Sequence, residues 1–234
     1  MIRENIERIQ NNINVALSKR TEKKLTGEQV QLIAVSKTHP AEVVAEASQA
    51  GLKVFGENKV QEAMEKIPFI KGASWHLIGH LQTNKVKKAV ELFDLIHSVD
   101  SEKLLLAVNK EAANINKVQD ILLQINIAQE ESKFGLAVSE LTAVAQKINE
   151  LDNVRLRGLM VIAPEEDDAE LVRPVFQQGY KEFCHLLDLK IKNAKVDTLS
   201  MGMSNDYMIA IEEGANCIRL GTLLFGKRDY GAKR

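Results

Sequence analysis

Short apolar segments rich in β-branched residues alternate with segments of helical period along nearly the whole chain. Several of the apolar segments are almost uninterrupted, as expected for parallel strands whose outer faces are covered by helices. Because a strand followed by a helix implies a right-handed crossover, this alternation predicts an α/β fold built on a parallel sheet. The eight predicted strands are Gln31–Ser36, Lys53–Glu57, Ser74–Gly79, Leu95–Asp100, Val118–Asn126, Val154–Ala163, Asp197–Gly202 and Asn216–Gly221.

Helical period predicts the elements between these strands. Helices are expected over Pro40–Ala50, Val138–Leu151 and Leu171–Leu187, and an additional N-terminal helix is expected over residues 1–20. Eight strand–helix units in 234 residues fit a single TIM-type (β/α)8 barrel, which we expect to form one domain over residues 1–234. An open doubly wound sheet is the alternative, because the period alone does not prove closure.

Composition excludes several classes of function. Lys and Arg number 31 against 32 Asp and Glu, so charge gives no argument for binding nucleic acid or an anionic membrane. Cys184 and Cys217 cannot build a disulfide framework, and the charged start MIRENIERIQ lacks the apolar core of a signal peptide. No apolar run approaches the ~20 residues of a membrane span. We therefore expect a cytoplasmic protein with neither nucleic acid nor membrane as a partner.

Lys37 directly follows the first predicted strand, at the end of the barrel where active sites lie. Desolvation there would lower the pKa of the lysine and leave a nucleophilic amine, which suits Schiff-base formation with a carbonyl compound. The alternative is a lysine that reaches the rim and keeps its ammonium in water.

The loops after strands seven and eight are rich in small residues with hydroxyl and backbone N–H groups: Ser200, Gly202, Ser204, Gly221 and Thr222. In such barrels these loops commonly hold a phosphate. Ser204 or Asn205 is expected to cap a helix through Met208–Glu212, and ordinary turn chemistry is the alternative for each residue. A carbonyl-binding lysine beside a phosphate site suggests a phosphorylated aldehyde, either pyridoxal phosphate or the substrate of a Schiff-base aldolase.

Arg219 lies two residues before Gly221 and so shares its face of strand eight. It could bind a second anionic group, face the ring nitrogen of pyridoxal phosphate, or form a structural ion pair. His76 and His80 are ~13 Å apart on an extended strand, too far to share one zinc, and His97 is interpreted as an isolated strand histidine. We predict no metal, and we assign no function to the acidic loop Glu165–Glu170.

Six segments together resemble the pyridoxal phosphate homeostasis protein family: AVSKTHP at Ala34–Pro40, FGENKVQEA at Phe55–Ala63, WHLIGHLQTNK at Trp75–Lys85, RLRGLM at Arg155–Met160, LSMGMSND at Leu199–Asp206 and IRLGTLLFG at Ile218–Gly226. The resemblance implies a barrel similar to the N-terminal domain of alanine racemase. It implies pyridoxal phosphate bound as an internal aldimine on Lys37, with Arg219 facing the pyridine nitrogen. The remaining implied contacts are Ser200, Gly221 and Thr222 at the phosphate, the backbone near Met201 and Gly202, and Asn58, His80 and Met160.

The same resemblance implies a protein that holds pyridoxal phosphate reversibly for intracellular vitamin B6 homeostasis and hands it to pyridoxal-phosphate-dependent apo-enzymes. No catalytic residue is predicted. An arginine beside the pyridine nitrogen disfavours its protonation, which weakens the ring as an electron sink. The alanine-racemase family takes its second base, a tyrosine, from a further domain of a partner subunit, and this chain stops at Arg234. Tyr207 is the tyrosine expected nearest the mouth.

Two other functions stay open from the sequence: a weak pyridoxal-phosphate-dependent amino-acid racemase, and a Schiff-base aldolase acting on sugar phosphates. A monomer is expected, since the racemase partner domain is missing. Lys85 and Lys133 follow strands near the mouth and are interpreted as solvated surface lysines rather than secondary aldehyde traps.

Overall fold

Eight parallel strands close into a barrel in which each strand pairs with the next one in the chain. The structure, a computed structural model, describes residues 1–128, 130 and 133–226. Its strands are β1 (Gln31–Val35), β2 (Val54–Glu57), β3 (Ser74–Leu77), β4 (Leu95–Val99), β5 (Gln119–Ile125), β6 (Val154–Val161), β7 (Ala194–Ser200) and β8 (Cys217–Leu220). Closure comes from β8 pairing with β1, in a register that runs from Gln31 opposite Cys217 to Ala34 opposite Leu220. The predicted (β/α)8 barrel is confirmed, and the open sheet is wrong.

Helices connect the strands around the outside. They are α1 (Ile2–Ser18), α2 (Ala41–Gln49), α3 (Val60–Lys66), α4 (Val86–Leu92), α5 (Glu102–Asn114), α6 (Leu141–Lys147), α7 (Arg173–Asp188), α8 (Tyr207–Glu212) and α9 (Thr222–Phe225). The helix predicted over Val138–Leu151 is α6 with a 3₁₀ turn at each end. None of the helices in the described ranges is long and apolar enough to cross a membrane.

The main apolar core lies between the barrel and its helices. On β2, Phe55 points outward and packs its ring 5.3 Å from the ring of Trp75 on β3. The additional N-terminal helix, α1, is confirmed, and its apolar side chains are buried at Ile2, Ile9 and Ile13. These apolar faces stabilise the barrel because each buried side chain removes apolar surface from water.

The inside of the barrel is polar toward the carboxyl ends of the strands. Side chains alternate across each strand, so on β8 Ile218 and Leu220 pack outward while Arg219 points inward. A small apolar cluster of Leu95, Leu122 and Met160 is separate from the outer core. This arrangement places charged and hydrogen-bonding groups where a ligand enters.

Two strand boundaries differ from the prediction. β7 begins at Ala194, three residues before the predicted Asp197, because Ala194 pairs with Leu156 of β6 although this stretch is only half-buried. β3 ends at Leu77, so His80 lies beyond the strand rather than on its inner face.

Candidate functional site

A cavity of about 410 Å³ opens at the carboxyl ends of the strands, a volume within the range of small-molecule sites. Among the described residues that line it are six of the ten predicted site residues: Lys37, Asn58, Met160, Arg219, Gly221 and Thr222. The other four, His80, Ser200, Met201 and Gly202, are not in its described lining. The structure therefore brings together the predicted amine, the guanidinium and the loop after β8.

Lys37 reaches the cavity because inward and outward side chains alternate at the end of β1. Ser36 is fully buried and its hydroxyl bonds to Glu57 of β2, whereas Lys37 is half-buried and lines the cavity beside Val35. The peptide groups on both sides of Lys37 are held by α3. Lys66 Nζ donates to the Ser36 carbonyl at 2.8 Å, and Glu62 Oε2 accepts from the Thr38 N–H at 2.8 Å.

A buried ion pair behind Lys37 connects β2 to α3. Lys66 Nζ lies 2.6 Å from Glu57 Oε1, and Ser36 Oγ donates to the same oxygen at 2.6 Å. Burial raises the pKa of the Glu57 carboxyl, and its hydrogen bonds to Lys66 and Ser36 act in the opposite direction. The sequence analysis missed this cluster, although a glutamate ending an apolar strand is a signal that could have found it.

Arg219 is a buried cation whose hydrogen-bond partners are neutral. It is 4% exposed; Nη1 donates to Ser200 Oγ at 2.7 Å and Nη2 to the Val161 carbonyl at 3.0 Å. Within the described part of the chain no carboxylate lies at ion-pair distance from it, so the structural ion pair is not found there. Burial lowers the pKa of the guanidinium. The Asp206 carboxylate favours the charge only from beyond ion-pair distance, and an anionic or electron-rich ligand in the cavity would complete the surroundings of the guanidinium.

His97 is in contact with another histidine, so its interpretation as an isolated residue is wrong. His97 Nδ1 lies 3.0 Å from Ser200 Oγ, and His97 Nε2 lies 3.0 Å from His76 Nδ1. Burial lowers the pKa of His76 to about 4 and holds the pKa of His97 well below its usual range. Both rings are therefore neutral near pH 7, and Ser200 is engaged behind the cavity by His97 and Arg219.

The loop after β7 forms one wall of the cavity with Met203, Ser204, Asn205 and Asp206. The prediction that Ser204 or Asn205 caps α8 is wrong, because the residue at that position is Asp206. Its carboxylate accepts from the Met203 N–H at 2.6 Å and so tightens the loop, and burial raises the pKa of this carboxyl.

Met201 and Gly202 shape this loop from behind. Met201 is fully buried and its N–H donates to the Cys217 carbonyl at 3.1 Å. Gly202 has φ +95°, and a Cβ there would lie 2.7 Å from Ala210 Cβ. Glycine is needed because the backbone is left-handed and α8 packs directly against it.

His80 lies at the outer rim rather than in the cavity lining. Its Nδ1 is 2.9 Å from Asp100 Oδ2, and its ring stacks on Phe134 with centroids 3.7 Å apart. Lys133 Nζ donates to Glu130 Oε1 and to the Ala163 carbonyl. Neither Lys133 nor Lys85 is in the described lining of the cavity.

Two further sequence interpretations change with the structure. Glu165 and Glu166 of the acidic loop line the cavity at its exposed edge, although the loop was assigned no function. Tyr207 is 4% exposed, and its hydroxyl accepts from Asn12 Nδ2 of α1 at 2.8 Å, so it points away from the cavity toward the N-terminal helix. Tyr230 lies outside the described residues.

Metal ligands do not gather in the described part of the protein. Among residues 1–128, 130 and 133–226, no group of three or more His, Cys, Asp or Glu side chains could hold a metal ion.

Comparison with known proteins relates the chain first to a domain class, the alanine racemase N-terminal domain, and then to a family within it. The profile of the alanine racemase N-terminal domain matches residues 4–229, which agrees with the barrel. The pyridoxal phosphate homeostasis protein of Pasteurella multocida (strain Pm70) is 40% identical over 233 residues, 98% of each chain. That of Escherichia coli (strain K12) is 42% identical over 212 residues, covering 88% of this chain and 89% of the relative. The chain belongs to the pyridoxal phosphate homeostasis protein family.

Solved structures agree with this family. PipY of Synechococcus elongatus PCC7942 has been solved without PLP and with PLP bound. The two structures give TM-scores of 0.84 and 0.82, at 38% and 37% identity, and the match covers 97% of this chain and all of PipY.

Proposed function

We propose that this protein binds pyridoxal phosphate in the cavity as a Schiff base on Lys37 and serves vitamin B6 homeostasis in the cytoplasm, as one domain over residues 1–234. One observation carries the proposal: a lysine amine and a buried guanidinium without an ion-pair partner in the described structure line the same cavity. The structure of PipY with PLP bound, 37% identical to this chain, supports it.

The residues present fit each part of the cofactor. Pyridoxal phosphate supplies an aldehyde that condenses reversibly with amines, and Lys37 is the amine in the cavity. Arg219 would face the pyridine nitrogen, a position where arginine is found in some cofactor sites of this kind. Asn58 and Met160 line the same cavity and would flank the ring.

The phosphate is bound by the loops after β7 and β8. α9 begins at Thr222, directly after Gly221, where N–H groups have no partner within the helix, and Ser204 lines the same cavity. This moves the predicted phosphate contacts from Ser200 and Met201, whose hydrogen-bonding groups are engaged elsewhere, to Ser204 and its neighbours.

The protein holds the cofactor rather than turning over an amino acid. The guanidinium of Arg219 disfavours a proton on the pyridine nitrogen, and an unprotonated ring stabilises a carbanion poorly. Racemisation also needs a second acid–base group opposite Lys37. No tyrosine, histidine or cysteine is found among the described residues of the cavity wall, and Tyr207 is bonded to α1. The carboxylates in that wall are those of Glu165 and Glu166, at its exposed edge, and that of Asp206, which accepts from the Met203 N–H.

Release is the other half of the function. The half-buried Lys37 lies in a cavity whose rim includes the exposed Met203 and Asn205. An incoming amine, such as the active-site lysine of an apo-enzyme, can therefore displace Lys37 and carry the cofactor away. We propose that the protein does this as a monomer.

Equilibrium dialysis against pyridoxal phosphate, with visible absorption of the retained protein, tests the proposal. Wild-type protein should bind one equivalent and show a Schiff-base band. Lys37→Ala should lose the band and bind at least about tenfold more weakly, a loss of 1.4 kcal/mol or more. The matched control Lys85→Ala should behave as wild type. A Lys37→Ala variant with the wild-type band and affinity would overturn the assignment.

Solvent exchange tests holding against turnover. The loaded protein, incubated with single amino acids in D₂O, should exchange the α-hydrogen no faster than free pyridoxal phosphate does. Faster exchange that Lys37→Ala abolishes would contradict the holding function and favour a racemase.

A further inference from the structure

A chain of hydrogen bonds crosses the inside of the barrel from Arg219 on β8 to His76 on β3. Arg219 Nη1 lies 2.7 Å from Ser200 Oγ, Ser200 Oγ lies 3.0 Å from His97 Nδ1, and His97 Nε2 lies 3.0 Å from His76 Nδ1. Ser200 and His97 belong to β7 and β4, which are not neighbours in the sheet. The chain therefore exists only because the barrel is closed.

The chemistry of its members gives this chain a direction. A guanidinium has donors and no acceptor, so Ser200 Oγ must accept from Arg219. An oxygen that accepts from a cation has a more polarised O–H, which makes it a stronger donor in a cooperative chain. The lone pair of His97 Nδ1 is the better acceptor for that proton, since the thiol of Cys217, paired with Ser200 across the β7–β8 ladder, accepts only weakly. His97 then carries its proton on Nε2 and donates to His76 Nδ1.

We propose that His97 is a positioning residue for Arg219, acting through Ser200, and that His76 fixes the tautomer that His97 needs. Neutral acceptors hold the guanidinium in place and leave its positive charge uncompensated, whereas a carboxylate would neutralise that charge. The charge of Arg219 is thereby kept for the ligand in the cavity. Only the second of the two tests below rests on the proposed function.

The charged groups around the histidines are compatible with neutral rings. His97 faces Arg219 and His76, and His76 faces Asp94, Asp120 and Arg157 at the other end of the barrel. Burial opposes a charge on His76 more strongly than the two carboxylates favour it, and burial, His76 and Arg219 all oppose a charge on His97. Both histidines can thus act as neutral links.

The first test uses the protein without cofactor. Long-range ¹H–¹⁵N spectra at pH 7, assigned with His97→Asn and His76→Asn, should show His97 and His76 both protonated at Nε2 and unprotonated at Nδ1. A proton on Nδ1 of His97 would reverse the chain and overturn the proposal. This result does not depend on whether the protein binds pyridoxal phosphate.

The second test measures the rate of cofactor release and the visible band of the loaded protein. His97→Leu removes the acceptor from Ser200, so release should accelerate by up to about tenfold, the scale of one lost hydrogen bond between neutral groups, and the band should shift. His97→Asn can place its amide oxygen near the position that Nδ1 occupies in the wild type. It should restore most of the wild-type release rate and band position. The control His185→Leu alters an exposed histidine and should match wild type.

The two ideas fail in different ways. If wild-type protein takes up no cofactor, the proposed function fails. The tautomers of His97 and His76 still test the direction of the hydrogen bonds in that case. If the loaded His97→Leu and Ser200→Ala variants both release cofactor at the wild-type rate with an unshifted band, the positioning role is wrong. Ser200→Ala, a smaller change, keeps this outcome accessible should His97→Leu fail to fold.

Discussion

At the scale of single residues, burial decides what a charged or titratable group can do. Arg219 has only neutral hydrogen-bond partners in the described structure, which makes it a site for a ligand rather than a structural ion pair. His76 and His97 stay neutral for the same reason. Position near the strand ends alone favours His80 as a site residue over His76 and His97, but His80 pairs with Asp100 at the rim.

The buried His76 predicts a pH dependence of stability. Its native pKa is about 4, against about 6.5 when unfolded, so below pH 6.5 the unfolded chain takes up a proton that the native protein refuses. Stability from this group is complete above pH 6.5 and is lost as pH falls toward 4. Between pH 7 and pH 5 the wild type should lose about 2 kcal/mol more than His76→Asn.

Urea unfolding at the two pH values measures this difference. Glu57 and Asp206, whose carboxyl pKa values are raised by burial, titrate in both proteins and cancel in the comparison. His185→Asn, at an exposed histidine, should lose as much as wild type. A His76→Asn variant that loses the same stability as wild type would contradict the argument.

At the scale of elements, the end of β1 is held by its neighbour α3 rather than by its own loop. Lys66 links the Ser36 carbonyl to the buried Glu57 carboxylate, and Glu62 holds the Thr38 N–H. Lys37, between Ser36 and Thr38, therefore has a fixed backbone while its side chain lines an open cavity. A backbone held on both sides of a half-buried lysine would suit the reversible binding proposed for the cofactor.

Removing one partner of this ion pair should destabilise the fold. Lys66→Met leaves Glu57 buried without its cation, at an expected cost of about 3 kcal/mol in the free energy of unfolding. Lys66→Met combined with Glu57→Gln removes the uncompensated charge and should recover at least half of that loss. Urea titrations of the three proteins check this, and a double variant no more stable than Lys66→Met would contradict it.

The irregular contact between β6 and β7 depends on a single glycine. Gly158 has φ +142°, and a Cβ there would lie 1.9 Å from the Thr198 carbonyl oxygen, at a shift in the strand register. Gly158→Ala should cost about 4 kcal/mol or more, because backbone must move. Gly27→Ala has a left-handed backbone but open space and should cost only about 1 kcal/mol. Equal losses in thermal or urea unfolding would contradict the steric argument.

At the scale of the whole molecule, the sequence predicts the strands and the residues at their ends, because these are local properties. It misses the contacts that form only when the barrel closes. All eight strands were predicted because their apolar runs are strong. The start of β7 was not, since Ala194 and Val196 are only half-buried and Lys195 between them is exposed. Lys37 and Arg219 could be placed because a strand end and an alternating face are local properties. The contact of His97 with Ser200 could not, because β4 and β7 meet only across a closed barrel.

The central claim is that one lysine at the mouth of this barrel carries the cofactor. Borohydride reduction of protein loaded with pyridoxal phosphate, followed by mass mapping of its peptides, tests it most directly. The account predicts a pyridoxyl-phosphate adduct on Lys37 and none at comparable yield on Lys85 or Lys133. An unmodified Lys37, whether another lysine carries the adduct or none does, would contradict it.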